Sequence, residues 1–83
     1  MAEGQQPVAE SVGARLRRLR LERGKSQRDL SAPGITYAYI SRIEAGARTP
    51  SYQVLREFAK RLGVTADYLA TGQDPAAASI REM

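Results

Sequence analysis

Four glycines and four hydroxyl residues divide the middle of this chain into short segments, and that punctuation limits the fold more than any other feature. Ser26, Thr36, Ser51 and Thr65 each stand where a side-chain oxygen can accept an unpaired N–H at a helix start. Gly24, Gly46, Gly63 and Gly72 each stand where a left-handed residue can end one. Together they predict five short helices, at roughly 11–23, 26–32, 36–45, 51–62 and 65–71. No window alternates at period two and the β-branched residues are scattered, so strands are not expected. The predicted class is all-α, a compact bundle of about five short helices.

Helical spacing supplies a core for that bundle. The first helix carries Val12, Leu16 and Leu19, then Arg20 or Arg23, on one stripe. The fourth carries Leu55, Phe58, Ala59 and Leu62, with Arg56, Lys60 and Arg61 facing away. Ile40 and Ile43 come from the third helix and Leu30 from the second; Ile35 plugs the turn between them, and Val64, Tyr68 and Leu69 close the open end. Of 83 residues, 35 are hydrophobic but 13 of those are alanine, which leaves enough for one modest core and one domain, residues 11–72. Each buried Leu, Ile or Phe contributes ~1.5–3 kcal/mol, against the entropy of ordering roughly 60 residues. A marginal monomer, helped by a dimer partner, is the expectation. Residues 1–10, with Gly4, Gln5, Gln6 and Pro7, read as a disordered tail. Residues 73–83 read as a second tail, a short helix starting near Pro75, or the start of a further domain.

Cys and His are both absent. That excludes disulfides, zinc fingers and His-dependent catalysis, so no metal and no cofactor is expected, and a reduced cytoplasmic setting is. No apolar run approaches the ~18–20 residues of a membrane span, and no signal pattern opens the chain. Charge placement is more informative. The net charge is +4 overall, but residues 13–62 hold twelve Lys/Arg against Glu22, Asp29, Glu44 and Glu57. Seven of the twelve fall between Arg15 and Arg28, opposed by Glu22 alone. Such a field suits a polyanion, because each phosphate neutralised releases counterions. A solvated helix face is the alternative.

The join between the second and third helices is the diagnostic feature: a short helix turns at once into another through a glycine. The run S-Q-R-D-L-S-A-P-G-I-T-Y-A-Y-I-S-R-I-E-A-G-A-R-T-P-S, Ser26 to Ser51, resembles the Cro/C1-type (XRE family) helix-turn-helix domains of bacterial and phage DNA-binding proteins. So do the lead-in L-R-R-L-R-L-E-R-G-K, Leu16 to Lys25, and the closing R-L-G-V-T-A-D-Y-L, Arg61 to Leu69. The resemblance spans roughly Val12 to Gly72 and implies a lambda repressor-like bundle. In one respect the sequence departs from it. Three residues, Ser31, Ala32 and Pro33, separate Leu30 from Gly34 where the family usually has four, and Pro33 drives Ala32 from the α region. The second helix should therefore end at about Ser31.

The resemblance implies that the third helix, residues 36–45, lies in the major groove. The residues facing outward from the Ile40/Ile43 stripe, Tyr37, Ala38, Ser41 and Arg42, are then the base-reading candidates. Arg42 leads, since its fork can address guanine O6 and N7 together; its alternative is a phosphate or surface contact. Tyr37 can reach a base or a phosphate, Ala38 offers a methyl, and Tyr39 reads as a packing residue. Phosphate contacts are expected from Gln27 at the start of the second helix, from Arg28 and Thr36, and from Arg48, Thr49, Ser51 and Tyr52 beyond the third. Capping alone is the other reading of Thr36 and Ser51, and solvation that of Arg28, Arg17 and Lys25. The resemblance also has Gln27 touch the first residue of the third helix, and Arg20 pair with Glu44 in a structural role.

These residues point to a sequence-specific DNA-binding transcriptional regulator, not an enzyme. The resemblance implies a homodimer on a palindromic operator, with half-sites ~34 Å apart. An antitoxin, a repressor, or a DNA-binding segment of a longer protein with a sensor domain fits equally. The competing class is a coactivator-like protein-interaction module on the same scaffold, which would carry neutral or acidic residues where this chain has Arg42 and Arg48. The expected dimer surface has Tyr68, Leu69 and Ile80 to offer.

Overall fold

The capping residues act as their chemistry dictates. In the computed structural model, which describes residues 10–73, Thr36 Oγ1 accepts the N–H of Tyr39 at 3.1 Å, Ser51 Oγ that of Val54 at 3.2 Å, and Thr65 Oγ1 that of Tyr68 at 2.9 Å. Ser11, which the sequence pattern did not single out, does the same for Ala14 at 3.1 Å. Four α-helices result: α1 (Val12–Glu22), α2 (Tyr37–Glu44), α3 (Tyr52–Leu62) and α4 (Ala66–Thr71). Gly24, Gly46, Gly63 and Gly72 all have positive φ, as helix-ending residues should. Among the described residues there is no named strand, only an isolated pairing of Ala32 with Ile35.

The element between α1 and α2 is shorter than expected. In place of an α-helix over 26–32 there is a single 3-10 turn, Arg28–Leu30. Ser26 and Asp29 close it reciprocally: Asp29 N–H donates to Ser26 Oγ at 3.1 Å, and Ser26 N–H donates to Asp29 Oδ2 at 2.7 Å. The backbone N–H and hydroxyl of Ser26 hold the Asp29 carboxyl below its usual range. Ser31 is already extended, with ψ 157, so the chain stops where Pro33 requires. Ala32 and Ile35 then exchange backbone hydrogen bonds of 3.0 and 2.8 Å around Pro33-Gly34. Gly34, at φ +81, takes the corner that an L side chain resists.

The core is one cluster. Leu16, Leu30, Ile40, Phe58 and Leu69 are fully enclosed, with Leu19, Ile35, Ile43, Leu55, Ala59 and Leu62 around them. Val12, Val64 and Tyr68 lie partly buried at its margin, and so does Val54. Leu69 is thus spent inside the protomer and is not a surface residue for dimer formation, contrary to expectation. Glu10, assigned to the leading tail, is anchored: its carboxylate accepts from Arg18 at 2.7 and 3.0 Å, which holds its carboxyl below the usual range. The rest of that tail, and the alternatives built on Pro75 and Ile80, lie outside the described residues.

α1 is the central strut, packed on α2 and on α4, while α3 packs on α4. Its approach to α2 depends on Gly13, a buried residue in the first turn of α1. A Cβ there would overlap the carbonyl oxygen of Ile43 and crowd the backbone of Glu44. Backbone atoms have no rotamer with which to escape, so this helix start tolerates only hydrogen. Gly13→Ala should therefore lower stability by roughly 1–3 kcal/mol despite alanine's better helix propensity, shifting Tm down by several degrees or more in thermal unfolding followed by circular dichroism. An unchanged or raised Tm would contradict the close approach.

Candidate nucleic-acid interface

α2 is eight residues long and holds to the core by Ile40 and Ile43 on one side. The other side is open: Tyr37 is half-exposed, and Ala38, Ser41 and Arg42 are exposed. All four expected base-reading residues therefore share the outer face of one rod. At the far end of that rod, the N–H of Ala47 donates to the Arg42 carbonyl at 2.8 Å and that of Gly46 to Ile43 at 3.0 Å. This 6→1 and 5→2 pairing turns the chain sharply away. Tyr39 is partly buried against the core, as a packing residue, and the Arg48 guanidinium lies over its ring at 5.4 Å.

The orientation of α2 is fixed by a forked ion pair. Arg20 donates from Nε to Glu44 Oε2 at 2.7 Å and from Nη2 to Oε1 at 2.9 Å, and from Nη1 to the Lys25 carbonyl at 2.9 Å. Both side chains are nearly enclosed, at 10% and 4% exposure. The hydrogen bond to Glu44 raises the Arg20 pKa above its ordinary value. Gln27 adds its amide to the same carboxylate, Nε2 to Oε1 at 3.2 Å. Its side-chain hydrogen bond thus runs to the last residue of α2, not to the first as the family pattern implies. Gln27, half-buried, belongs to the mounting of the helix as much as to its surface.

The remaining phosphate candidates are arranged around α2. Thr36 and Ser51 are both exposed and both cap a helix, and each retains an O–H donor after its oxygen has accepted the backbone N–H. Arg28, Arg48 and Thr49 are exposed. The Arg28 guanidinium stacks on the Tyr37 ring, 4.5 Å from its centroid. Tyr52, the last of these candidates, also reaches α4. Its ring is exposed, but its hydroxyl donates to Asp67 Oδ1 at 3.1 Å, which raises the phenol's pKa. That donor is committed to α4.

Much of the dense basic run from Arg15 to Arg28 is engaged within the protein, though only Arg15 and Arg20 are buried. Arg15 is buried and donates to the Leu69 carbonyl at 2.8 Å and the Glu10 carbonyl at 2.7 Å. Arg18 spans Glu10, Glu22 and, at 3.0 Å, the Tyr68 hydroxyl. Arg23 donates to the Leu62 carbonyl at 2.5 Å, at the end of α3. With Arg20, four of the seven bases brace the bundle. Arg15 and Arg20 border the Val12/Leu16/Leu19 stripe, and that position was the available signal for their burial; Arg23, on the same border, stays exposed while it bonds the Leu62 carbonyl.

A short helix and a second, outward-facing helix joined by a tight glycine turn and stacked on a helical bundle define a helix-turn-helix domain. The helix-turn-helix domain family matches residues 11–71, and the chain belongs to it. It is 39% identical over 64 residues to the uncharacterised HTH-type transcriptional regulator y4dJ of Sinorhizobium fredii, covering 76% of this chain and 83% of that protein. A solved structure of a PrgX mutant superposes with a TM-score of 0.66 at 29% identity, over 71% of this chain. The chain spans about a fifth of PrgX, 20% of its length. Among the described residues, no helix is long and apolar enough to cross a membrane.

Removing one member of the enclosed Arg20–Glu44 pair strands the other. Glu44→Leu alone should cost about 3 kcal/mol or more in urea unfolding, whereas Arg20→Met with Glu44→Leu should cost clearly less than the two single changes summed. Additive losses would show that the pair does not act as a unit.

Proposed function

We propose that this chain is a sequence-specific DNA-binding transcriptional regulator that works by occupying an operator, with α2 seated in the major groove. The reading is carried by one observation: the exposed row Tyr37, Ala38, Ser41 and Arg42 on a helix whose opposite face is sealed into the core. The description of the Sinorhizobium fredii relative as an HTH-type transcriptional regulator supports it. A B-DNA major groove admits one α-helix, and its base edges carry the sequence information that such a row can read. Arg42 is the principal reader, its guanidinium addressing guanine O6 and N7. Thr36, Thr49, Ser51 and Arg48 supply phosphate contacts that set the register, with Gln27 assisting from the turn. Regulation needs no bond-making step, so the domain is read as a binding module and not an enzyme. A homodimer on a palindromic operator, in the cytoplasm, completes the proposal.

Selection from random duplexes tests the reading residue by residue. Arg42→Ala should lose preference at one or two base pairs and cost ~1–3 kcal/mol on the selected site. An unchanged consensus and affinity would remove Arg42 from the readers. Binding to duplex DNA should also weaken with added salt, log K falling with log[salt] at roughly −0.9 per phosphate neutralised. A flat response would instead favour a protein-interaction module on the same scaffold.

A further inference from the structure

We propose that Arg28 reads a guanine, with the ring of Tyr37 as its platform, so that the two side chains form one composite reader spanning the helix-turn-helix. The proposal rests on the DNA-binding reading above and deepens it. Arg28 opens the 3-10 turn and Tyr37 opens α2, nine positions later; the tight Pro33-Gly34 corner brings them together. The guanidinium carbon lies 4.5 Å from the ring centroid, within range of an attractive cation–π stack. Among the described residues, no carboxylate pairs with this guanidinium, unlike those of Arg18 and Arg20. Among the described residues its N–H groups also make no hydrogen bond, while the ring holds its position.

The backbone beneath Arg28 is also fixed. Its carbonyl accepts the N–H of Ser31 at 3.0 Å and the Ser31 hydroxyl at 2.6 Å. Tyr37 is fixed in turn as the first residue after the Thr36 cap. A phosphate contact, the role suggested by the position of Arg28 beside Gln27, requires only a mobile positive charge. A flat guanidinium positioned over a ring can instead match a planar pair of acceptors, and guanine O6 and N7 are that pair in the major groove. The stack has already restricted the long side chain, so less freedom is lost when the base is engaged. The ring serves as a surface, and its hydroxyl is not required.

Random-duplex selection and titration with wild type, Arg28→Ala, Tyr37→Leu, Tyr37→Phe and the double variant Arg28→Ala/Tyr37→Leu distinguish the possibilities. Arg28→Ala and Tyr37→Leu should each erase the same G·C preference, by roughly ten- to a hundredfold, and the double variant should lose no more than either. Tyr37→Phe should keep it. Arg42→Ala should erase a different position. If Arg28→Ala weakens all duplexes alike, Arg28 is a phosphate contact and the proposal fails while the DNA-binding reading stands. If Tyr37→Phe loses as much as Tyr37→Leu, the hydroxyl is the reader and the composite unit is overturned. If the two losses fall at different base pairs or add, there is no shared unit. If wild type enriches no sequence at all, the DNA-binding reading itself has failed. Circular dichroism of each variant separates any loss of fold from loss of reading.

Discussion

The presentation of α2 depends on the forked contact between Arg20 and Glu44. Ile40 and Ile43 attach the helix to the core, but hydrophobic attraction is non-directional and two residues do not fix a rotation. A guanidinium meeting a carboxylate through two parallel hydrogen bonds does fix one, because both groups are planar. The third donor of Arg20, on the Lys25 carbonyl, extends the constraint into the loop, and Gln27 closes it on the carboxylate. One enclosed charge pair thus holds the end of α1, the loop after it and the end of α2 in register. Its value lies in orientation more than in net stability, since desolvating both charges offsets much of their attraction.

The other arginines of α1 extend the same logic to the rest of the bundle. α4 is only six residues and α3 eleven, and the final carbonyls of a short helix are a large share of its polar groups. Arg15 satisfies one at the end of α4 and Arg23 one at the end of α3. Cations at helix C-termini are favoured there by the helix dipole as well. The bundle is small and its core modest, so these contacts from one strut to the last two helices add polar attachment where apolar area is limited.

Much of this was legible in the sequence, and what was not has a physical reason. Caps and helix-ending glycines act over three or four residues, so Thr36, Ser51 and Thr65 and their paired glycines could be read directly. Apolar spacing identified every residue of the enclosed core for the same reason. The second element is shorter than its seven-residue span suggests because Pro33 disfavours the α region at Ala32 and the chain is already extended at Ser31. The arginines were misjudged because what decides their role lies far away: Leu62 is 39 positions from Arg23, and Leu69 is 54 from Arg15. A count of charges cannot separate a side chain that points at solvent from one that reaches a distant carbonyl. The outward row of α2 was legible from period alone, but the stack of Arg28 on Tyr37 was not, since it is made by the geometry of the turn.

The glycine at position 13 has a mechanical consequence. Where two backbones touch without intervening side chains, there is no soft layer between them to shear or compress. α1 and α2 are therefore in direct backbone contact, and any displacement of α1, whose outer side carries Arg17 and the exposed Leu21, has to be shared by α2 at that point. Ala47 still bonds back to the Arg42 carbonyl, so the stretch between α2 and α3 that is without helical hydrogen bonds is Arg48 to Pro50.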